Sequence, residues 1–352
     1  MDLKDKIAAF DPNGMGDING NIYGLPFDVT EARLVILPVP WEVTVSYQAG
    51  TAQAPGAILN ASLQVDLFDP FVNDAWKLGI AMKDIDLDLL GKSNLLRHKA
   101  EYYISELALG NEAEDKTALP AIRDEVNHAC NELNEWVKKE SVKLLEKNKI
   151  VALLGGDHST PLGLMQALAE KHPSFGILHI DAHADLREAY EDFEYSHASI
   201  MFNAIKLPQI SRLVQVGIRD FCEAEKLLIQ SNSRITTFFD RDLKHSQFEG
   251  KTWMAICDEI IETLPEKVYL SFDIDGLDPK LCPNTGTPVP GGFELEQAIY
   301  LVEKLVISGR TIIGFDLNEV APGSDEWDAN VAARLLYRLA NMCLVSNNVL
   351  AK

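Results

Sequence analysis

Residues 175–185 of the chain are FGILHIDAHAD, and this stretch decides the fold. Its apolar part predicts a β-strand over 175–183 that ends in alternating acidic and imidazole side chains. A strand without polar alternation is typical of parallel sheets, whose strands are buried on both faces. Comparable runs predict strands at 34–39, 77–82, 150–155, 212–219, 267–275 and 311–320.

Segments with helical periodicity separate these strands. They lie at 121–147, 161–171, 222–231, 252–263, 294–308 and 328–342. Strands that alternate with helices indicate βαβ units and therefore an α/β sandwich. Since no Pro/Gly/Ser-rich linker interrupts the alternation, we expect one domain over 1–352, with an N-terminal extension at 1–30 and a surface excursion at about 84–120.

Composition excludes several classes of function. The 352 residues carry a formal charge of −21, which disfavours nucleic acid and anionic membranes as partners. No run of about 18 apolar residues suits a membrane span, and the N-terminus lacks a signal-peptide core. The five cysteines are scattered without a CxxC pair, which argues against a disulfide framework or a zinc-thiolate site. We expect a cytoplasmic protein with reduced thiols.

Polar side chains follow three of the predicted strands, where each strand ends. The segments are Asp157–Thr160 after 150–155, Asp181–Asp185 within the opening stretch, and Asp273–Asp278 after VYLSF. Because ligand sites in parallel α/β sheets form outside the carboxyl ends of the strands, we expect these groups to converge. Alternate residues of an extended segment also point to one side.

Converging carboxylates repel one another unless cations bind between them, because buried unpaired charges are costly. A set of Asp and His ligands without a thiolate suits manganese, with nickel, cobalt or zinc as alternatives. Two such ions, about 3.5–4 Å apart, can activate a water molecule as a nucleophile. Each motif alone also has a structural interpretation as a helix cap or a turn at a strand end.

The combined motifs resemble the signatures of the ureohydrolase (arginase/agmatinase) family. The matching segments are PVPWEVTVSYQAGTAQAPGAI at 38–58, GGDHS at 155–159, DAHAD at 181–185, SFDIDGLDP at 271–279 and GFDLNEVAP at 314–322. The resemblance extends from about residue 34 to 342. It implies a three-layer α/β/α sandwich with a mainly parallel central sheet, and hydrolysis of a guanidino group to urea plus an amine or ammonia.

The resemblance also implies a role for each site residue. Two divalent ions, Mn²⁺ or else Ni²⁺, are expected on the metal ligands His158, Asp181, His183, Asp185, Asp273 and Asp275, with Asp181 and Asp273 bridging. Glu319 falls where the family binds the substrate guanidinium, and a carboxylate suits that planar cation. His197 falls where the family transfers a proton to the leaving amine, a role that fits a near-neutral pKa. Asp185 completes the candidate catalytic residues. His172, His179 and His245 are interpreted as ordinary residues.

The choice of guanidino substrate stays open between two interpretations. Arg187 stands where arginases have an Asn, and the DLRxxY…SHA pattern is closer to agmatinases. Trp327, Trp41 and Thr44 instead favour a small pocket for free guanidine, as in guanidine hydrolases, if the aromatic side chains cap it. Substrate contacts are therefore assigned to Glu319, His197, Arg187, Trp327 and Thr44. An agmatinase-type substrate is preferred, with guanidinase as the alternative.

Other classes of protein remain as competing interpretations. An arginase, a single-zinc deacetylase-type hydrolase and a catalytically inactive homologue each share part of the pattern. The resemblance further implies a homo-oligomer, either a trimer or a hexamer, with a small cationic guanidino compound as the partner.

Overall fold

A central sheet of eight parallel strands organises the computed structural model, which describes residues 2–18, 20–110 and 118–349. The strands are β1 (Leu34–Val39), β2 (Ile80–Met82), β3 (Ile150–Gly155), β4 (Phe175–Ile180), β5 (Ile210–Ile218), β6 (Ile235–Phe239), β7 (Lys267–Asp273) and β8 (Thr311–Asn318). Their order across the sheet is β2-β1-β3-β8-β7-β4-β5-β6.

Helices cover both faces of this sheet, which confirms the three-layer α/β/α class. They are α1 (Leu3–Ala9), α2 (Ala54–Ser62), α3 (Leu87–Ala108), α4 (Ala118–Leu145), α5 (Leu162–Lys171), α6 (Ile200–Ala204), α7 (Glu223–Ser231), α8 (Asp240–Phe248), α9 (Trp253–Glu262), α10 (Leu295–Ile307) and α11 (Trp327–Ser346). One layer groups α2 with α9, α10 and α11, and the other groups α3 with α4, α5 and α6. Within the described ranges, no helix is both long and apolar enough to cross a bilayer.

The central strands are buried on both faces, as their apolar runs predict. Every residue of β1 and β4 is buried, and so are all but the first residues of β3, β7 and β8. The three predicted strands that contain acidic ends stop two or three residues early, at Ile180, Asp273 and Asn318. The reason is local, since the Asp273 carboxylate accepts the backbone N–H of Asp275 at 2.8 Å and so begins a turn.

Two strands differ clearly from the sequence-based expectation, and the helices α1, α2, α6 and α8 lie outside the predicted helical segments. The strand expected at 77–82 is reduced to β2, because a short 3₁₀ turn occupies Ala75–Leu78. β6 was not predicted at all. Its sequence ITTFF has only one fully buried residue, and α8 begins at the next residue, so no turn signal marks the strand end.

The expected surface excursion at about 84–120 contains a 22-residue helix, α3. The Asp86 carboxylate caps it by accepting the Leu89 N–H at 2.9 Å. One face of α3 is buried, and the helix packs against α4. The remainder of the excursion, residues 111–117, lies outside the described residues. In the N-terminal extension, α1 is tied to the domain by the ion pair of Lys6 with Glu31 at 2.9 Å.

The strand order brings the predicted site segments together. β3, β8, β7 and β4 are consecutive neighbours at the centre of the sheet. Because all four are parallel, their carboxyl ends deliver the side chains that follow them to one edge. β8 lies between β3 and β7, so the residue that follows its end, Glu319, reaches the middle of the same edge.

Candidate metal centre and substrate pocket

A first cluster of carboxylates surrounds one nitrogen of His158. Nδ1 of this imidazole lies 3.0 Å from Oδ2 of Asp181, 3.1 Å from Oδ2 of Asp185 and 3.2 Å from Oδ2 of Asp273. All four residues are buried. The residues that follow β3, β4 and β7 therefore do meet at one point of the sheet edge.

A second cluster lies beside the first and shares Asp181 with it. His183 Nδ1 is 2.9 Å from Oδ2 of Asp275 and 3.6 Å from Oδ1 of Asp181. The loop is held by its own carboxylates, because Asp181 Oδ1 accepts the His183 N–H at 2.6 Å and Asp275 Oδ1 accepts the Ala182 N–H at 3.0 Å. The two oxygens of Asp181 thus face different clusters, as a bridging carboxylate requires.

The hydrogen bonds of His158 show which nitrogen is free to bind a cation. Ser271 Oγ donates to Asp316 Oδ1 at 3.0 Å, since a carboxylate only accepts. The same serine oxygen, 2.9 Å from His158 Nε2, must then accept the imidazole N–H. In the neutral imidazole, Nδ1 therefore presents a lone pair to three carboxylates. Within the described ranges, buried His158 Nδ1 and Asp275 Oδ2 form no hydrogen bond, although charged groups lie 2.9–3.2 Å from them.

The electrostatics of both clusters favour added positive charge. Burial and the charge of Asp181 raise the pKa of Asp185 to about 6. Burial together with Asp275 and Asp181 raises the pKa of Asp273 well above its usual range. Burial would lower the pKa of His158, but its three facing carboxylates raise it far above normal. A single proton would offset only one of these negative charges, so the donor set fits divalent cations better.

Two site residues have left-handed backbone conformations although neither is glycine. Asp185 has φ 54° and Glu319 has φ 62°. The Asp185 carbonyl accepts the N–H groups of Met201 and Phe202, at 3.0 and 3.1 Å, which holds this conformation. Such strained residues concentrate at functional sites, where surrounding contacts maintain them.

Glu319 is fixed between the ends of β3 and β8. Its N–H donates to Gly156 O at 2.9 Å, and its Oε1 accepts the His158 N–H at 2.8 Å. Gly156 has no room for a side chain, because a Cβ there would lie 1.8 Å from the Trp41 carbonyl oxygen. The second oxygen, Oε2, faces Gly286, where a Cβ would lie 3.0 Å away. Burial and the charge of Asp157 raise the pKa of Glu319 well above its usual range.

A cavity of about 290 Å³ opens over the second cluster. Its floor includes His183 and Asp185, and its walls carry the predicted residues Arg187 and His197. The other lining residues are Ser46, Tyr47, Tyr190, Ala198, Asp220, Phe221, Glu225, Thr287, Pro288 and Val289. Two of the proposed metal ligands, His183 and Asp185, are therefore accessible from a pocket with aromatic walls and both signs of charge.

His197 is in contact with the loop that follows β1. Its Nε2 lies 3.5 Å from Ser46 Oγ, and its ring packs edge-on against Tyr190 with centroids 5.9 Å apart. Burial and the cationic neighbours His183 and Arg97 lower the pKa of His197 to about 3. The imidazole is thus neutral near pH 7, and its pKa lies below the near-neutral value expected from the sequence.

Of the predicted substrate contacts Arg187, Thr44 and Trp327, only Arg187 lines the cavity. Arg187 lines the cavity, with its guanidinium 4.7 Å from the Tyr190 ring centroid and Nε 3.9 Å from Oε2 of Glu225. Thr44 is fully buried outside the cavity lining, where its backbone lies beside His197. Trp327 does not line the cavity either.

The position of Trp327 corrects the expectation that the side chains of Trp41 and Trp327 cap the pocket. Trp327 is 44% exposed at the start of α11, and its indole N–H donates to the Lys280 carbonyl at 3.0 Å. Trp327 thus contacts, from outside the pocket, the segment that begins at Lys280 and continues to the cavity residue Thr287. Trp41 is fully buried. Tyr47, Tyr190 and Phe221 line the cavity instead.

His179, interpreted from the sequence as an ordinary residue, is in direct contact with the proposed metal ligand Asp181. Its Nε2 lies 2.7 Å from Asp181 Oδ2, and its side chain is fully buried. Ligand atoms of His158, His179, Asp181 and Asp185 all lie within 4.8 Å of one another, as do those of Asp181, His183 and Asp275. A signal was present, because histidine interrupts an otherwise apolar strand in FGILHI.

Comparisons with known proteins agree with this geometry. The model of the family described as "Arginase family" matches residues 32–341. An N(1)-aminopropylagmatine ureohydrolase of Thermus thermophilus is 33% identical, over 87% of this chain and 89% of its own length. An agmatinase of Bacillus cereus is 26% identical, over 86% and 88% respectively. The solved agmatine ureohydrolase of Thermoplasma volcanium shares the fold, with a TM-score of 0.67, 21% identity and coverage of 97% of both chains.

Proposed function

The chain belongs to the arginase family, and from this membership we propose that it is an agmatinase-like ureohydrolase with a binuclear metal centre. Its enzyme class is that of hydrolases acting on C–N bonds of linear amidines. The proposed reaction cleaves a guanidino compound with water to give urea and an amine. The observation that carries the proposal is the pair of clusters that share the buried Asp181 and reach the cavity through His183 and Asp185.

Two divalent ions, Mn²⁺ or Ni²⁺, are proposed on the two clusters. One set of ligands is His158, Asp181, Asp185 and Asp273, and the other is Asp181, His183, Asp273 and Asp275. When bound, the ions would supply a water nucleophile of lowered pKa at neutral pH. The chain's part is to hold these ligands in place and to orient the substrate above them.

Glu319 and His197 are the proposed catalytic side chains beside the metal centre. Oε2 of Glu319 would pair with the guanidinium, while Oε1 stays bound to the His158 N–H. His197 would accept a proton from the reacting water and pass it to the nitrogen that leaves as the amine. A neutral imidazole must receive a proton before it can give one, and the pKa of about 3 makes His197 a weaker base than the near-neutral value that the resemblance led us to expect.

The cavity supports a substrate with a tail rather than free guanidine. Its lining includes Tyr47, Tyr190 and Phe221 in addition to the metal ligands, and the exposed Asp220 carboxylate, 4.0 Å from His183 Nε2, adds negative charge that suits a cationic substrate. The neighbouring cation Arg187 is partly balanced by Glu225. Because neither Trp41 nor Trp327 closes this space, an amine-terminated chain such as that of agmatine is preferred over guanidine.

A substrate panel tests the proposal. Guanidine, agmatine, guanidinobutyrate, guanidinopropionate, arginine and formiminoglutamate are compared by kcat/KM with Mn²⁺ and Ni²⁺ separately, and the readout is urea release, or formamide release for formiminoglutamate. We expect agmatine to give the highest value. The matched control is Asp181→Asn, which keeps the volume but should lose at least one ion and most turnover. A guanidine maximum would instead support guanidinase activity, and absence of urea from every substrate would contradict the ureohydrolase proposal.

A homo-oligomer, either a trimer or a hexamer, is also proposed, and family membership supports it. Sedimentation velocity at micromolar concentration should show a species several times heavier than the 39.1 kDa chain. A single monomeric species would refute this part of the proposal.

A further inference from the structure

A row of polar side chains crosses five neighbouring strands inside the core. The row runs in register through Asp316 of β8, Ser271 of β7, His179 of β4, Gln215 of β5 and Thr237 of β6. The first four are completely buried, and Thr237 is partly buried. Polar groups in such positions are unfavourable unless they are hydrogen-bonded, so the row needs an explanation.

The row lies one layer of side chains below the metal-ligand clusters. His179 lies in β4 and precedes Asp181, just beyond the strand end, by two residues, and Ser271 precedes Asp273 by two in β7. Residues two apart on a strand face the same side of the sheet. The row is therefore on the same face as these ligands and directly beneath them.

The hydrogen bonds of the row have a defined direction from the sheet edge towards Asp181. Thr237 Oγ1 donates to Gln215 Oε1 at 2.9 Å, which leaves the Gln215 amide nitrogen as a double donor. That nitrogen donates to Ala184 O at 2.7 Å and to His179 Nδ1 at 3.1 Å. His179 therefore carries its proton on Nε2, which donates to Asp181 Oδ2 at 2.7 Å.

Both nitrogens of His179 are thus engaged, and the residue has no lone pair for a metal ion. The other half of the row acts in the same way on His158, through Ser271 and Asp316. We propose that His179, Gln215 and Thr237 are positioning residues that fix the orientation of Asp181. In that orientation Oδ2 faces the His158 cluster while Oδ1 faces His183. This inference rests on the proposed metal centre.

Metal binding by the full-length chain tests the proposal without using turnover. The metal-depleted chain is titrated with MnCl₂ in a calorimeter, and its melting temperature is recorded before metal is added. His179→Met removes the donor at similar volume, whereas His179→Gln retains an N–H near the position of Nε2. Substitutions that disrupt partners of metal ligands typically cost 10- to 100-fold in metal affinity.

We expect His179→Met to weaken binding of at least one ion tenfold or more, and His179→Gln to stay within about threefold of the wild type. The Mn²⁺ affinity of Gln215→Met should lie between those of the two His179 variants, because His179 Nδ1 would no longer accept a hydrogen bond from residue 215. Thr237→Val should have the smallest effect, since it lies three hydrogen bonds from Asp181. The matched control is Ile177→Val on the same strand and face, which should bind Mn²⁺ as the wild type does.

Two outcomes would overturn the proposal. One is wild-type affinity for both ions in His179→Met. The other is equal loss in His179→Gln and His179→Met, which would indicate a role in packing alone. If His179→Met fails to fold, Gln215→Met and Thr237→Val decide, and wild-type affinity in both would overturn the proposal. Failure of the wild-type chain to bind Mn²⁺ would contradict the metal centre itself.

Discussion

Glu319 is held rigid by two strand ends, and although burial raises its pKa, a bound guanidinium would favour its charged form. Glu319→Gln keeps the acceptor for the His158 N–H but replaces a charged contact to the guanidinium with a neutral one. Charged hydrogen bonds contribute about 1.5–3 kcal/mol, and about 1.4 kcal/mol is a tenfold change in rate. We expect kcat/KM to fall at least tenfold for every guanidino substrate while both metal ions are retained.

Glu249→Gln is the matched control, because this exposed glutamate at the end of α8 is remote from the strand ends that form the site. It should leave kcat/KM unchanged. Steady-state kinetics together with metal analysis check both variants. Full turnover in Glu319→Gln would show that the guanidinium is bound elsewhere.

At the scale of single residues, the sequence is most informative where apolar strands end. His158, Asp181 and Asp273 could be predicted to converge because each lies where an apolar strand of one parallel sheet ends. The contact of His179 with Gln215 could not be predicted, since it depends on the register between two strands whose residues are 36 positions apart in the sequence. Trp327 was misplaced for a related reason, because sequence position does not show which side of a helix start faces the pocket.

At the scale of elements, α3 braces two loops that form the substrate pocket. Arg97 donates to the carbonyls of Val43 and Val45. Ser93 Oγ accepts the Glu42 N–H at 3.0 Å, which holds the same loop. On the next turns, Tyr103 donates to Asp192 Oδ2 at 2.7 Å and thereby anchors the loop that precedes His197.

This arrangement predicts a distinct phenotype for Arg97→Met, which retains the apolar stem of the side chain. The loop after β1 would lose its donor, so we expect KM to rise about tenfold with metal content unchanged. Hydrogen exchange at residues 42–46 should become faster. Lys92→Met on the same helix removes only an exposed ion pair with Glu132 and should change neither quantity. A normal KM in Arg97→Met would contradict the bracing role.

The elements themselves were largely predictable, and the exceptions have physical causes. Buried central strands such as β1 and β3 have long apolar runs, and their predicted bounds agree with the structure. β6 lies at the edge of the sheet, and four of its five residues are only partly buried. Its sequence therefore lacks the apolar run that predicts the central strands. The bracing role of α3 depends on contacts with loops more than 50 residues away, which helical periodicity does not show.

At the scale of the whole molecule, metal binding should contribute to stability. Ions that bind only the folded chain stabilise it by RT ln(1 + [L]/Kd), about 2.7 kcal/mol at a hundredfold excess over Kd. Chelation should therefore lower the melting temperature by a few degrees, and added Mn²⁺ should restore it. Calorimetric scans of Asp273→Asn provide the control, since its response to chelation should be smaller. An unchanged melting curve after verified metal removal would contradict the expectation.

The stability of the chain should also depend on the protonation of His172. Burial, together with Lys267 and Lys171, lowers the pKa of His172 to about 4 from its usual 6.5. Between these values the unfolded chain binds the additional proton, so the free energy of unfolding falls as pH falls from about 6.5 to 4. Because the group is partly exposed, we expect a contribution on the order of 1 kcal/mol.

His172→Gln should reduce this pH dependence, as measured by denaturant unfolding at pH 7 and pH 4.5. The exposed His98 provides the matched control, because His98→Gln should leave the wild-type slope unchanged. An equal change in the free energy of unfolding between pH 7 and pH 4.5 in all three proteins would show that His172 does not cause the pH dependence.

The left-handed backbone at Asp185 and Glu319 has a consequence for laboratory evolution. Glycine adopts this conformation with less strain than any L-residue with a side chain, by roughly 1–2 kcal/mol at each position. A library screened only for heat tolerance or expression yield would therefore tend to enrich glycine at both positions. Such clones would pass the screen without the carboxylates that the proposed chemistry requires. Selection for robustness and selection for turnover thus act in opposite directions at the same two codons.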